Sequence, residues 1–453
     1  MELQFTFSHD KSKYSIIYEQ LKEKIIRQVV KPGERLPSKR KLAEQLNVSI
    51  HTVKEAYEQL ASEGYIYSEE RSGYFVSPYD MEWEQPVAIR TAISPEEQTA
   101  LYNFQNGQVD EQAFPLREWL KLYKKQLTSM YIPNAHWQGE FHLREQIAAY
   151  VEKSRGFSCT ADHIYIYSGT QHQLHALCRF FGIVPVAMEE PGFKRAAAVF
   201  QQNRLPVEYV PVDEKGADIP QADCRLYYIT PAHQFPLGMV MPIGRKLELL
   251  KWAGESGAYL IEDDYDAEFR YKGNPIPPLA QIDQLQKVIY FGTFSKTLIP
   301  SLRISYMILP VELQERFNHF NREQKSTVSR IEQRVVAEFM ESGLYVKHIA
   351  KMRTLYRKKR EKLLRCIEQL LGPAFEVIGD TAGLHIVLQL PTWLDEKQAI
   401  QLAAEAGIAI DPISTSYQTL DIECFIMIGY GAIPHEMIEE AVRLLADAWK
   451  GRR

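Results

Sequence analysis

The chain has 453 residues, 45% hydrophobic and 25% charged, the size and composition of two or three ordinary globular domains. No run approaches the roughly 20 apolar residues that span a bilayer. The start MELQFTFSHD has no signal-peptide pattern, and Cys159, Cys178, Cys224, Cys366 and Cys424 show neither metal-ligand spacing nor a disulfide framework, so a reducing cytoplasm is the expected location. The net charge of −5 is split unevenly: residues 11–78 carry 12 Lys/Arg against 9 Asp/Glu, a net +3, and the rest carries 41 against 49, a net −8, the sign expected of a DNA-binding head on an acidic body.

Ile17, Leu21 and Ile25 recur every four residues and predict a first helix, ended by Lys31-Pro-Gly33. Ser38 is placed to cap a second helix over Lys39–Leu46, and Ser49 to cap a third running to about Glu63, with Val53, Ala56, Tyr57 and Leu60 inward. His51, Thr52, Lys54 and Glu55 are left outward near its start. Tyr65–Ser68 and Tyr74–Ser77 alternate as two short strands around Glu69-Glu-Arg-Ser-Gly73. Three helices and a hairpin make a winged helix-turn-helix, spanning residues 10–78. The third helix would enter the major groove of double-stranded operator DNA and the wing would touch the backbone. Candidate DNA contacts are Ser38, Lys39, Arg40, Lys41, Ser49, His51, Thr52, Lys54 and Arg71. The pattern Leu36-Pro-Ser-Lys-Arg-Lys-Leu-Ala-Glu-Gln-Leu-Asn-Val-Ser49, followed by Thr52-Val-Lys-Glu-Ala-Tyr-Glu-Gln-Leu60, resembles the GntR-type head over residues 14–77. That family usually has Arg after the Ser that opens the third helix. Here the position is Ile50, and His51 or Lys54 would have to substitute.

Residues 79–100 lack periodicity and read as a linker of ~20 residues, reaching on the order of 25 Å if flexible. From residue 101 onward, apolar strands at 164–168, 226–230, 258–262, 288–292, 304–309, 383–389 and 424–429 alternate with helical patterns such as Arg245–Ser256 and Val311–Glu323. This predicts an α/β body, residues 101–453. It has a large, mostly parallel sheet covered on both faces and, after about residue 340, a smaller α+β unit ending in a helix at 435–449.

Ligands in such sheets bind beyond the C-terminal ends of the strands. Asp263, in Tyr259-Leu-Ile-Glu-Asp-Asp-Tyr265, and Lys296, in Val288-Ile-Tyr-Phe-Gly-Thr-Phe-Ser-Lys296, both fall just after predicted strands, and Arg303 follows. A carboxylate, a phenol, an amine and a guanidinium, in this order along the chain and at these spacings, are the parts that hold pyridoxal 5'-phosphate. Lys296 would supply the Schiff-base amine, Asp263 the partner of the pyridine nitrogen, and Tyr265 a donor to the ring oxygen. Gly169, Thr170 and Gln171 open a helix whose free N–H groups suit phosphate; Thr293, Ser295 and Arg303 complete that cup. Phe193 would stack on the ring.

Residues 101–450 resemble fold-type I aminotransferases, and the whole chain resembles the MocR/GabR family of regulators. The stretches that carry this are Glu189-Glu-Pro-Gly192, Thr230-Pro-Ala-His-Gln-Phe-Pro-Leu-Gly238, Glu262-Asp-Asp-Tyr-Asp-Ala-Glu-Phe-Arg270 and Gly292-Thr-Phe-Ser-Lys296. The resemblance adds His233 to the cofactor-binding set. It implies an internal aldimine at Lys296 and a homodimer in which each head lies near the partner's body. Two departures bear on chemistry. The Asn that aminotransferases place before the Pro of the Pro-x-Gly turn is Phe235, and the Arg that clamps a substrate carboxylate soon after a late strand is missing from Ile426-Met-Ile-Gly-Tyr-Gly-Ala-Ile-Pro434. A carboxylate therefore lacks its bidentate partner, with Arg195 the one nearby residue that could replace it. γ-Aminobutyrate is disfavoured as effector; an amine, a modified amino acid or pyridoxal phosphate itself is favoured. The expectation is a cytoplasmic transcription regulator responsive to pyridoxal phosphate, with any aminotransferase activity vestigial. The alternative is a working aminotransferase with an appended regulatory head.

Overall fold

The four-residue spacing near the N-terminus becomes helix α1 (Lys13–Ile26), with Ile17, Leu21 and Ile25 fully buried. Helix α2 (Lys39–Leu46) begins where Ser38 Oγ accepts from the Lys41 N–H at 3.2 Å, and ends at Asn47, left-handed at φ 49°. Helix α3 (Ile50–Ser62) starts the same way on Ser49 and buries Val53, Ala56, Tyr57 and Leu60. Strands β1 (Ile66–Glu69) and β2 (Gly73–Val76) pair antiparallel with Ile66 opposite Val76. Each lies one residue from its expected span, because Ile66 and Val76 are the residues that join the core formed by the three helices. The computed structural model describes residues 5–7, 11–70, 72–78, 100–128, 134–271, 276–379 and 381–451. Arg71 and the linker apart from Ala100 lie outside the described residues.

The chain divides into two compact units, Met1–Glu97 and Gln98–Arg453. The second opens with β3 (Tyr102–Asn103), α4 (Leu116–Leu127) and α5 (Phe141–Arg155), then alternates β4 (Ile164–Tyr167), α6 (Thr170–Phe181), β5 (Val186–Glu190), α7 (Lys194–Gln202), β6 (Val207–Asp213), β7 (Gly216–Ala217), β8 (Leu226–Ile229), α8 (Ile243–Ser256), β9 (Tyr259–Asp263), α9 (Leu279–Ile282), β10 (Val288–Thr293) and β11 (Ser305–Ile308). These strands form one sheet in the order β4-β11-β10-β9-β8-β5-β6-β7. Its central run from β10 to β6 is parallel, whereas β11 and β7 are antiparallel to their neighbours. The strands β4, β5, β8 and β9 are buried along their whole length, as expected of a sheet covered on both faces.

Helices α10 (Val311–Asn321), α11 (Arg330–Glu341) and the long α12 (Leu344–Cys366) lead into a smaller layer. There β12 (Glu376–Ile378), β13 (His385–Gln389), α13 (Glu396–Glu405), β14 (Ile408–Ala409), β15 (Asp411–Pro412) and β16 (Phe425–Gly429) precede α14 (Ile438–Lys450). A second sheet runs β12-β13-β16-β15, all antiparallel, and β14 pairs separately with β3. The last helix starts three residues later than expected because His435–Met437 forms a 3-10 turn. No helix among the described residues is long and apolar enough to cross a membrane.

Candidate functional site

The C-terminal ends of β8, β9 and β10 open into a cavity of about 560 Å³. Lys296 and Asp263 both line it, together with Gly169, Thr170, Gln171, Phe193, Arg195, Tyr265, Thr293, Ser295 and Arg303. Residues separated by more than a hundred positions thus meet because parallel strands end on one edge.

Asp263 is the last residue of β9 and is 5% exposed. Burial pushes its carboxyl up to about 7; the Tyr228 hydroxyl, donating to Oδ2 at 2.5 Å, opposes that rise, and Asp264 and Asp266 reinforce it. Lys296 follows β10 by three residues. Burial brings its amine down to about 8, with Arg195 acting the same way and Asp266, Asp263 and Asp411 pulling against it. A lysine amine near 8 is partly neutral at physiological pH, which nucleophilic attack on a carbonyl requires.

At another side of the cavity, Gly169 precedes α6 with φ +109°, and its N–H donates to Ser305 Oγ at 2.9 Å. Among the described residues no side chain caps this helix, so the N–H groups of Thr170 and Gln171 open its N-terminus. Arg303 approaches so closely that a Cβ on Gly169 would lie 2.3 Å from its Nη2. Arg303 also donates to the Ser168 carbonyl at 3.2 Å. A helix N-terminus beside a guanidinium is suited to a phosphate dianion.

The aromatic wall is continuous. Phe193 meets Phe235 edge-on at 5.7 Å, and Phe235 meets Tyr265 edge-on at 6.1 Å. His233 differs from its expected place. It is 2% exposed and does not line the cavity, because Nδ1 is shared between Asp266 Oδ2 at 2.9 Å and the Tyr265 hydroxyl at 3.0 Å. It stands behind Tyr265 and orients that phenol.

Several lining residues escaped sequence reading. Tyr228 sits in an apolar strand run and reads as core; its buried phenol needing a partner was the available signal. Gln105, Asn106, Gly107 and Gln108 form a strap over the lysine, where a Cβ on Gly107 would lie 3.6 Å from Lys296 Nζ. Asp411 and Met427 complete the wall. No local pattern marked them, since they come from the second sheet.

In the head, Ser38 and Ser49 are committed as helix caps, and Thr52 Oγ1 lies 2.8 Å from Ser49 Oγ. Lys39 Nζ rests on the wing, 3.2 Å from the Tyr74 hydroxyl. Arg40, Lys41, His51 and Lys54 are exposed, the last two beside Glu55 at 3.7 Å and Glu58 at 3.6 Å. Such exposed pairs hold little energy and leave both side chains available to a phosphate. Ile50 is half exposed at the start of α3.

Comparison with known proteins agrees with both halves. Residues 13–76 match the family described as bacterial regulatory proteins, gntR family. The chain is 40% identical over 448 residues, 96% of each protein, to the uncharacterized HTH-type transcriptional regulator YdeL of Bacillus subtilis. It is 29% identical to the HTH-type pyridoxine biosynthesis transcriptional regulator PdxR of Corynebacterium glutamicum, over 95% of this chain and 94% of that one. An archaeal alanine:glyoxylate aminotransferase superposes with a TM-score of 0.72 at 25% identity, covering 78% of this chain and 91% of the other. The fold and these likenesses define a transcription regulator with a DNA-binding winged-helix head and an aminotransferase-like body. The chain belongs to the MocR/GabR family of such regulators.

Proposed function

We propose that the body binds pyridoxal 5'-phosphate at Lys296 and that its occupancy, alone or with an amine effector, sets the affinity of the head for operator DNA. The observation that carries this is the meeting in one cavity of a lysine brought to about 8, a buried carboxyl, and an uncapped helix N-terminus beside Arg303. These donors fit the group. Thr170 and Gln171 N–H, Thr293, Ser295 and Arg303 would hold the phosphate, and Phe193 would cover a ring face. Tyr265, backed by His233, would donate to the ring oxygen. Asp263 would pair with a protonated pyridine nitrogen, a cation that would stabilise its charged form in the buried site. When bound, the cofactor supplies an aldehyde that takes up primary amines and a ring that withdraws electrons.

Pyridoxal phosphate as the signal itself is supported by the relative whose name refers to pyridoxine biosynthesis. Arg195, exposed at the cavity, is the candidate partner for an effector carboxylate. The working assembly in this reading is a homodimer, each head lying by its partner's body. The complete set of Lys296, Asp263 and Tyr265 also favours a second reading, residual aminotransferase activity; steady-state turnover with a panel of amino acids tests it. For the main reading, borohydride reduction of the loaded protein followed by peptide mass analysis is expected to place the reduced cofactor adduct on Lys296, and Lys296→Ala to abolish it. An adduct retained in that variant refutes the assignment.

A further inference from the structure

The effector side of the cavity has an uneven charge pattern. β15 and β16 run antiparallel with Asp411 directly opposite Met427, and both side chains line the cavity. Residues directly opposite in an antiparallel pair lie on one face of the sheet. The late strand that precedes the missing carboxylate clamp thus offers a thioether to the cavity, with a carboxylate beside it. The hydrogen bonds that Asp411 accepts come from neutral donors, the Asn106 N–H at 2.6 Å and the Gln105 amide at 3.4 Å. No lysine or arginine among the described residues forms an ion pair with it. Burial raises its pKa, and Lys194 and Lys296 act on it only through space. Lys296 is the amine that the proposed cofactor engages, and an effector amine that takes its place would release it as a neutral amine, so on neither side of the exchange does it bring a cation to Asp411. Lys194 and Arg195 are exposed, where water and salt screen them, whereas Asp411 is half-buried and screened less.

We infer that Asp411 is the counter-ion for a second, distal cationic group on the effector, so that this cavity selects diamines over monoamines and over amino acids of the same length. The inference rests on the proposed cofactor at Lys296. A diamine would present one amine to the cofactor and its other ammonium to Asp411, gaining a charge-assisted hydrogen bond. An amino acid of the same length would present its carboxylate to Asp411 and be repelled, and Arg195, the candidate partner for a carboxylate, is exposed and screened by water, so it offsets that repulsion only in part. Asp411 also pins the strap through Asn106, and an asparagine there keeps that acceptor while removing the charge.

The test uses the full chain loaded with pyridoxal phosphate and follows the visible cofactor band during titration with 1,4-diaminobutane, 1-aminobutane and 4-aminobutanoate. The diamine is expected to act at a concentration at least about tenfold below either competitor, the worth of one hydrogen bond to a charged group. Asp411→Asn is expected to close the gap between diamine and monoamine. Equal responses to all three ligands in the wild type, a lead for 4-aminobutanoate, or a diamine preference that survives in Asp411→Asn overturns the inference. If the wild type shows no lysine-linked cofactor band before any amine is added, the cofactor reading fails, and the inference with it. A normal band with no diamine preference sinks the inference alone.

Discussion

The hydrogen bond from Tyr228 to Asp263 allows a quantitative test of how the site is tuned. Asp263 is held at about 7 in the folded protein against an ordinary 3.8. A carboxyl raised in this way contributes stability that is whole below about pH 4 and lost as the pH rises through about 7. Tyr228, 1% exposed, donates at 2.5 Å to the ionised form and so limits that loss. Tyr228→Phe keeps the ring and removes the donor. A hydrogen bond to a charged group is worth about 1.5–3 kcal/mol, so the Asp263 titration should move up by about one to two pH units. In urea unfolding of cofactor-free protein, the stability gap between wild type and variant should therefore widen by about 1–3 kcal/mol between pH 5 and pH 9. A gap that stays constant or narrows over this range would refute the idea that Tyr228 stabilises the charged carboxylate.

Gly169→Ala should place a Cβ 2.3 Å from Arg303 Nη2 at a φ of +109°, straining the backbone by about 1–3 kcal/mol and lowering cofactor affinity by at least about tenfold; unchanged affinity in a spectrophotometric titration would show that this corner does not hold the phosphate. If the full-length protein acts as the proposed homodimer, the isolated head, residues 1–80, should bind operator DNA much more weakly than the full-length protein, and both affinities should fall steeply with salt as Arg40, Lys41 and Lys54 release counterions. Equal affinities, or none of the salt dependence, would count against paired heads on phosphate backbones. Ile50→Arg, at a half-exposed position opening α3, should strengthen DNA binding and steepen the salt slope by about one ion, measured by fluorescence anisotropy across a salt series.

The head was legible almost residue by residue, because its helices are set by local signals: caps at Ser38 and Ser49 and an unbroken four-residue apolar period in α1. In the body, the strands that lead to Asp263 and Lys296 stood out as apolar runs closed by polar residues. Strands β5 and β6 did not. Glu189 and Glu190 make β5 look exposed, yet Glu189 is buried accepting from Thr230 N–H and Oγ1, and Glu190 from Gln418 and Thr419. Pro211 interrupts β6, a residue tolerated there near its pairing with the short edge strand β7. The part of the site contributed by the second sheet, Asp411 and Met427, depends on how the smaller layer folds back on the larger one, and His233 owes its role to a partner 32 positions away in the sequence, Tyr265.

The central claim is that occupancy at Lys296 is read out as DNA affinity. Operator affinity measured for cofactor-free protein, for cofactor-loaded protein, and for Lys296→Ala in excess pyridoxal phosphate tests it most directly. Loading is expected to change wild-type affinity by at least about tenfold and to leave Lys296→Ala unmoved. Identical affinities for the free and loaded wild type, with an amino acid alone shifting binding, would contradict the claim and make the cofactor no more than a handle for another effector.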